Sequence, residues 1–276
     1  MSAVGSVIVG ACGLLLVAGC GGGATKATTV TTAPPVATVT QSASPATTDS
    51  GSPLASADAV KSYVDAQASQ DNPDAMREGL KLAAPNSVAY IYLDHLANVS
   101  EAGLDGGQPF TKEDVTLVGS DAFKVCSDPA DEKSCITFGD FKVNPAGKLV
   151  DLTVNKQPIG PRLTAGSGQV VTAGGAKFTF LTAYKSIQSD ALFVTVKVET
   201  GAKPIMMNTF SASYRGPDGK QRTATQAQGP TNLDAQSNTI VSMVFASVKV
   251  GGKVTLDGCV GKDCSGGQFT AVMKVG

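Results

Sequence analysis

The sequence predicts two folded parts, an α+β layer followed by an all-β sandwich. Three observations carry that prediction. Between residues 56 and 99 apolar side chains recur at helical spacing, and from Val115 onward the spacing changes to the alternation of strands. From residue 162 to the C-terminus the alternation continues without a helical run, punctuated by glycine-rich turns. Two close pairs of cysteines, Cys126 with Cys135 and Cys259 with Cys264, fall one in each part. Of the 276 residues, about 220 remain once a leader and a tether are set aside, enough for two domains of about 100 residues each.

The leader comes first. An apolar run from Val7 to Ala18 ends in Val17-Ala18-Gly19-Cys20 and is followed by three glycines. An apolar segment closing on small residues marks a secretory signal peptide, here residues 1–19. With a cysteine directly after the small residues, the pattern resembles the lipobox of bacterial lipoproteins. That resemblance implies a diacylglyceryl group on the Cys20 thiol, Cys20 as the new N-terminus, and a membrane-lipid partner on the extracytoplasmic face of the cell membrane. Two acyl chains make a stable anchor, since each buried methylene contributes about 0.8 kcal/mol and one chain alone holds only marginally. No Lys or Arg precedes Val7, so a start codon upstream is expected. The rival reading, an uncleaved membrane helix, requires about 20 apolar residues, and Gly10, Gly13 and Gly19 dilute this run.

Residues 20–55 follow as a lipidated cysteine and tether. They are mostly Thr, Ala, Ser, Pro, Val and Gly, with Lys26 and Asp49 the only charges. Such a segment buries too little apolar surface to offset its ordering entropy, so it is expected to be a spacer. As a flexible coil it would reach roughly 30 Å, and about 100 Å when extended. Its Thr and Pro content also resembles O-glycosylated stalks. The net charge is −1, and no basic stripe is visible. That argues against nucleic acid and anionic membrane surfaces as partners, because phosphate binding needs clustered Lys and Arg. The Ala-, Gly-, Val- and Thr-rich, Lys-poor composition resembles that of actinobacterial proteins.

Residues 56–161 are expected to form the α+β domain. Ser56 is placed to cap a helix carrying Val60, Tyr63 and Val64. Asn72-Pro73-Asp74 reads as a second helix start, with Asn72 as cap and Pro73 in the first turn. Val88, Ile91, Tyr92, His95, Leu96 and Val99 share the spacing of a third. Strands are expected at 115–117, 123–126, 135–143 and 149–154, the last two joined by a turn at Asn144-Pro145-Ala146-Gly147. The stretch from Phe138 to Val154 resembles the closing strands of nuclear-transport-factor-2-like folds, which implies helices packed over a curved antiparallel sheet.

Residues 162–276 are expected to form the sandwich, with about seven short strands. Leu192, Val194, Val196 and Val198 face one way, Thr195, Lys197 and Glu199 the other. The alternation recurs in Phe210, Ala212 and Tyr214, and in Phe269, Ala271 and Met273. Gly174-Gly175, Pro217-Asp218-Gly219 and Gly251-Gly252 supply turns. The valine-rich strand, followed by Pro204, Phe210 and the Asp218-Gly219 turn, resembles the telokin-like immunoglobulin-type domain of Gram-positive and actinobacterial lipoproteins. That family shares no catalytic residues, so the resemblance carries none to this chain.

Candidate chemistry is sparse, and no cofactor motif is present. Cys126, Cys135, Cys259 and Cys264 allow three disulfide connectivities; the two local bridges close the shortest loops. Each such closure contributes about 2–3 kcal/mol on loop entropy, and oxidised thiols suit an exported protein. The spacings do not resemble paired zinc knuckles. His95 is the one imidazole, next to Asp94, and neighbours on a helix point about 100° apart. A core histidine is therefore expected rather than a general base. Asp121, Asp128, Asp131 and Glu132 lack calcium-loop spacing and read as a solvated turn, as do Asp257, Lys262 and Asp263. The Asn98-Val99-Ser100 sequon is idle in a bacterium, and the glycine runs do not open a helix as phosphate loops do.

The function expected is that of a membrane-anchored, non-catalytic binding module at the cell envelope, with a protein or cell-wall partner. The alternatives are a carrier of a small apolar ligand or lipid, a structural accessory of a membrane complex, and an enzyme using His95. Cavity size in residues 56–161 separates carrier from interaction module: a closed, side-chain-filled cone argues against ligand transport, and an apolar cavity of roughly 300 Å³ or more favours the carrier.

Overall fold

The computed structural model describes residues 56–276. The expected signal peptide, Cys20 and the tether lie outside the described residues. Three helices come first: α1 (Ala57–Ala68), α2 (Pro73–Gly79) and α3 (Val88–Asp105). Each starts where a side-chain oxygen satisfies an orphan amide: Ser56 accepts from the Ala59 N–H, Asn72 from Ala75 and Ser87 from Tyr90. Strands β1 (Asp114–Val118), β2 (Ala122–Cys126), β3 (Cys135–Val143), β4 (Leu149–Val154) and β5 (Gln157–Pro158) form an antiparallel meander in chain order. At the β3–β4 turn, Asn144 Oδ1 accepts from the Ala146 and Lys148 amides and Gly147 takes the left-handed backbone, so all four expected strands and their turn are present. The helices bury Tyr63, Val64, Met76 and Leu93 against Phe138 and Leu152 of the sheet.

Twelve further strands follow, where about seven were expected: β6 (Leu163–Ala165), β7 (Val170–Ala173), β8 (Ala176–Lys185), β9 (Leu192–Glu199), β10 (Ile205–Met207), β11 (Ser213–Arg215), β12 (Gln221–Thr223), β13 (Gln226–Gln228), β14 (Asn232–Leu233), β15 (Asn238–Phe245), β16 (Gly252–Val260) and β17 (Gln268–Val275). Six of the twelve are two or three residues long, too short to show alternation in sequence. They pair antiparallel in two six-stranded sheets. One runs β13-β15-β9-β8-β6 with β7 also on β8; the other runs β12-β11-β16-β10-β14 with β17 on β16. Between the sheets lies a second apolar cluster. It includes Leu192, Val194, Val196 and Val198, which face inward together as their alternation predicts. Phe210 corrects the expectation: it sits in a 3₁₀ turn (Thr209–Ser211) and is 58 % exposed, while Ala212 and Tyr214 are buried.

Helix α3 joins the two parts. It packs on α2 and β4 on one side and on β8 and β15 on the other. A helix covered on two sides needs more than one apolar stripe. Beyond Tyr92 and His95, it therefore buries Ala89, Leu93, Ala97, Asn98, Ser100 and Ala102. Its C-terminus approaches the β13–β14 loop so closely that a Cβ on Gly106 would lie 2.7 Å from the Gly229 nitrogen. A β-bulge in β8 decides what α3 meets. The register with β9 shifts between Phe180 and Thr182. Before the shift Ala176, Phe178 and Phe180 enter the sandwich core; after it Ala183 does. Thr182 and Tyr184 are thereby turned to the opposite face, against the helix.

Candidate functional site

That re-aimed face builds a cleft of about 210 Å³ where α3, the loop before β1 and the β8–β9 hairpin meet. Tyr92, His95, Phe110, Glu113, Tyr184 and Phe193 line it, with aliphatic side walls. Tyr184 stands edge-on to Tyr92, with ring centroids 5.1 Å apart, and edge-on to His95 at 5.8 Å. His95 is the core histidine that its helical spacing suggests, but its other neighbours come from the far part of the chain. It is 1 % exposed, and its Nδ1 lies 2.9 Å from Thr182 Oγ1, which lies 2.7 Å from Thr195 Oγ1. Thr195, expected to face outward, is thus buried beneath the helix.

Burial sets the protonation states here. It pushes His95 down to about 3, so the ring is neutral at physiological pH. Burial pushes Glu113 up to about 7, opposed by a hydrogen bond from Gln70 Nε2 at 2.9 Å. Burial also raises the phenols of Tyr92 and Tyr184. Asp94 does not orient His95; its carboxylate accepts from Asn98 Nδ2 at 3.3 Å. The group poised near neutrality is therefore Glu113, which the sequence does not single out.

A second feature is an open groove of about 650 Å³ between the start of α1 and β1 to β3. Val60, Val115, Leu117, Phe123 and Phe141 supply its apolar surface. Leu117 is 57 % exposed on the edge strand β1. Asp58, Asp121 and Asp140 also line it. The one lysine there, Lys61, is paired with Asp65 at 2.6 Å, so the border is acidic. The interior beneath is filled: Tyr63, Leu93, Phe138 and Leu152 are fully buried.

Cys126 is bonded to Cys135, and Cys259 to Cys264, the two local bridges. Around the first, Lys124 pairs with Glu132 at 2.6 Å, Asp128 Oδ1 accepts from the Ala130 amide and Asp131 from Lys133. Beside the second, Asp257 accepts from Thr270 Oγ1 at 2.6 Å and Lys262 pairs with Asp234 at 2.9 Å. Among the described residues, no group of three or more His, Cys, Asp or Glu is arranged to hold a metal ion. Nor is any helix among them long and apolar enough to cross a membrane. Comparison with protein-family models, with curated proteins and with solved structures returns no match for this chain.

Proposed function

We propose that this chain is a non-catalytic binding module held on the extracytoplasmic face of the membrane by lipid on Cys20, and that it captures an apolar, basic segment of a partner protein. The observation that carries this reading is the groove at α1 and β1. Its apolar surface, with Leu117 exposed, favours burial of a partner's apolar side chains. Asp58, Asp121 and Asp140 complement basic flanks and repel anionic ones. The Val17-Ala18-Gly19-Cys20 pattern and two disulfides support an exported, anchored address. In this reading the sandwich is an immunoglobulin-type platform occupying residues 162–276, behind the α+β domain of residues 56–161.

The test uses the full chain from the producing membrane. Intact mass should show a diacylglyceryl adduct on Cys20 and four oxidised thiols; recovery from cytosol with a free N-terminus sinks the anchor. A Leu/Lys amphipathic peptide should bind saturably, the matching Leu/Glu peptide should not, and Leu117→Ser should weaken binding at least tenfold. Equal binding of both peptides, or of neither, rejects the reading. A groove of this volume also exceeds what a small apolar ligand needs. If uncharged lipid binds at the groove and the Leu/Lys peptide does not, the carrier replaces the interaction module.

A further inference from the structure

We propose that the cleft between α3 and the β8–β9 hairpin is a separate small-molecule site, which takes a small organic cation against the Glu113 carboxylate and an aromatic wall. Of the groove's elements it shares only β3, through Ile136 here and Asp140 and Phe141 there, and it does not depend on what the groove binds.

The cleft's composition selects the charge. Its volume of about 210 Å³ equals about seven waters at roughly 30 Å³ each. Glu113 is its one acid, and no Lys or Arg lines it. An anionic ligand would meet that carboxylate with no compensating charge. A neutral apolar ligand would strip water from it and leave it unpaired. Among the described residues, Glu113 has a single side-chain hydrogen bond, from Gln70 to Oε2, so Oε1 has no side-chain partner there and is free to accept from a ligand. The rings of Tyr92, Phe110, Tyr184 and Phe193 share the lining, and aromatic faces attract ammonium groups, more strongly when water is excluded. An apolar, aromatic cavity with a single carboxylate is thus complementary to an alkylammonium, whose charge the acid neutralises and whose carbons the rings cover.

The bulge at Leu181 is what makes the site. Without the register shift Tyr184 would join Phe178 and Phe180 in the sandwich core, and one aromatic wall would be missing. The site therefore draws on residues far apart in sequence, Gln70 to Phe193, and exists only when both parts of the chain are folded together.

Cation binding requires ionised Glu113, so it must depend on pH. The other ionisable groups facing the cleft do not titrate between pH 6 and 8: burial holds His95 neutral and raises Tyr92 and Tyr184, the last with Arg162 nearby. With Glu113 pushed up to about 7, affinity for a permanently charged ligand should fall about tenfold from pH 8 to pH 6.

The probe is choline, with dimethylbutanol as its uncharged isostere, titrated calorimetrically into the full chain. Choline should bind saturably at pH 8, at least tenfold more tightly than dimethylbutanol, and lose about tenfold by pH 6. Glu113→Gln, which can still accept from Gln70, should erase both the preference and the pH dependence; its thermal transition reports whether it folds. Tyr184→Leu should weaken choline binding while keeping the pH dependence. No choline binding, equal binding of the isostere, or an unchanged Glu113→Gln profile overturns the proposal.

Discussion

The two apolar clusters of this molecule differ in what they tolerate. The sandwich cluster is aliphatic and aromatic, and its one phenol, Tyr214, reaches the Lys249 carbonyl at 2.9 Å. Its strands put apolar residues inward, so apart from that hydroxyl no side-chain polar group of the cluster needs a partner. The helical cluster lies among buried polar groups. Tyr63 donates to the Ala89 carbonyl at 2.6 Å and Ser100 to the Gln70 carbonyl at 2.5 Å, while Gln67 has neither amide atom paired. His95 relies on a threonine pair from the other part of the chain. The buried polar groups beside the second cluster are completed by other elements, except Gln67, because a desolvated polar group left unpaired costs free energy.

The largest effect should come from the sandwich. Phe245→Ala removes a fully buried ring and should cost about 3–5 kcal/mol in urea unfolding at unchanged m-value. A loss below about 1 kcal/mol would mean that the core repacks freely and the contrast is false.

Next comes the pH dependence of the junction. His95 titrates ordinarily near 6.5 and at about 3 when folded, so the stability it contributes is complete above 6.5 and is lost as pH falls toward 3. Glu113 works in the opposite sense. From 4.5 it is pushed up to about 7, so its contribution is complete below 4.5 and is lost as pH rises toward 7. Between 4.5 and 6.5 the two slopes oppose each other. Glu113→Gln should make the chain lose stability on acidification across that window, relative to the parent, by on the order of 2 kcal/mol. Parallel curves would show that Glu113 is solvated.

Thr182→Val keeps the shape but strips His95 Nδ1 of its partner, and should cost about 1–3 kcal/mol. Adding His95→Leu should recover part of that loss, and additive costs would rule out coupling. Gln67→Met should raise stability by about 1 kcal/mol, since the amide is buried and unpaired; a decrease would reveal a partner such as an ordered water. The smallest effect belongs to Leu117→Ser, within about 0.5 kcal/mol of the parent, which makes it a clean probe of groove binding.

Local features were readable because local physics determines them. The caps at Ser56 and Asn72, the turn at Asn144 to Gly147 and the inward set Leu192, Val194, Val196 and Val198 each follow from chemistry within a few residues. The groove was half readable: Val115 and Phe123 were placed on strands, but nothing in their pattern shows that β1 is an edge. Phe210 misleads because a phenylalanine in an alternating stretch reads as core, and only the 3₁₀ turn exposes it. Glu113 gave no warning at all, since an acid in a loop is normally solvated.

From its residues alone, this chain specifies helices before strands, the inward face of its long strands and cysteines close enough for local bridges, because each depends on neighbours within a turn or a strand. Tertiary structure decides the rest. The bulge at Leu181 flips Tyr184 from one face to the other, α3 buries Thr195, and packing desolvates Glu113. A side chain's face and its charge state depend on what covers it, and here the covering element lies up to about a hundred residues away along the chain.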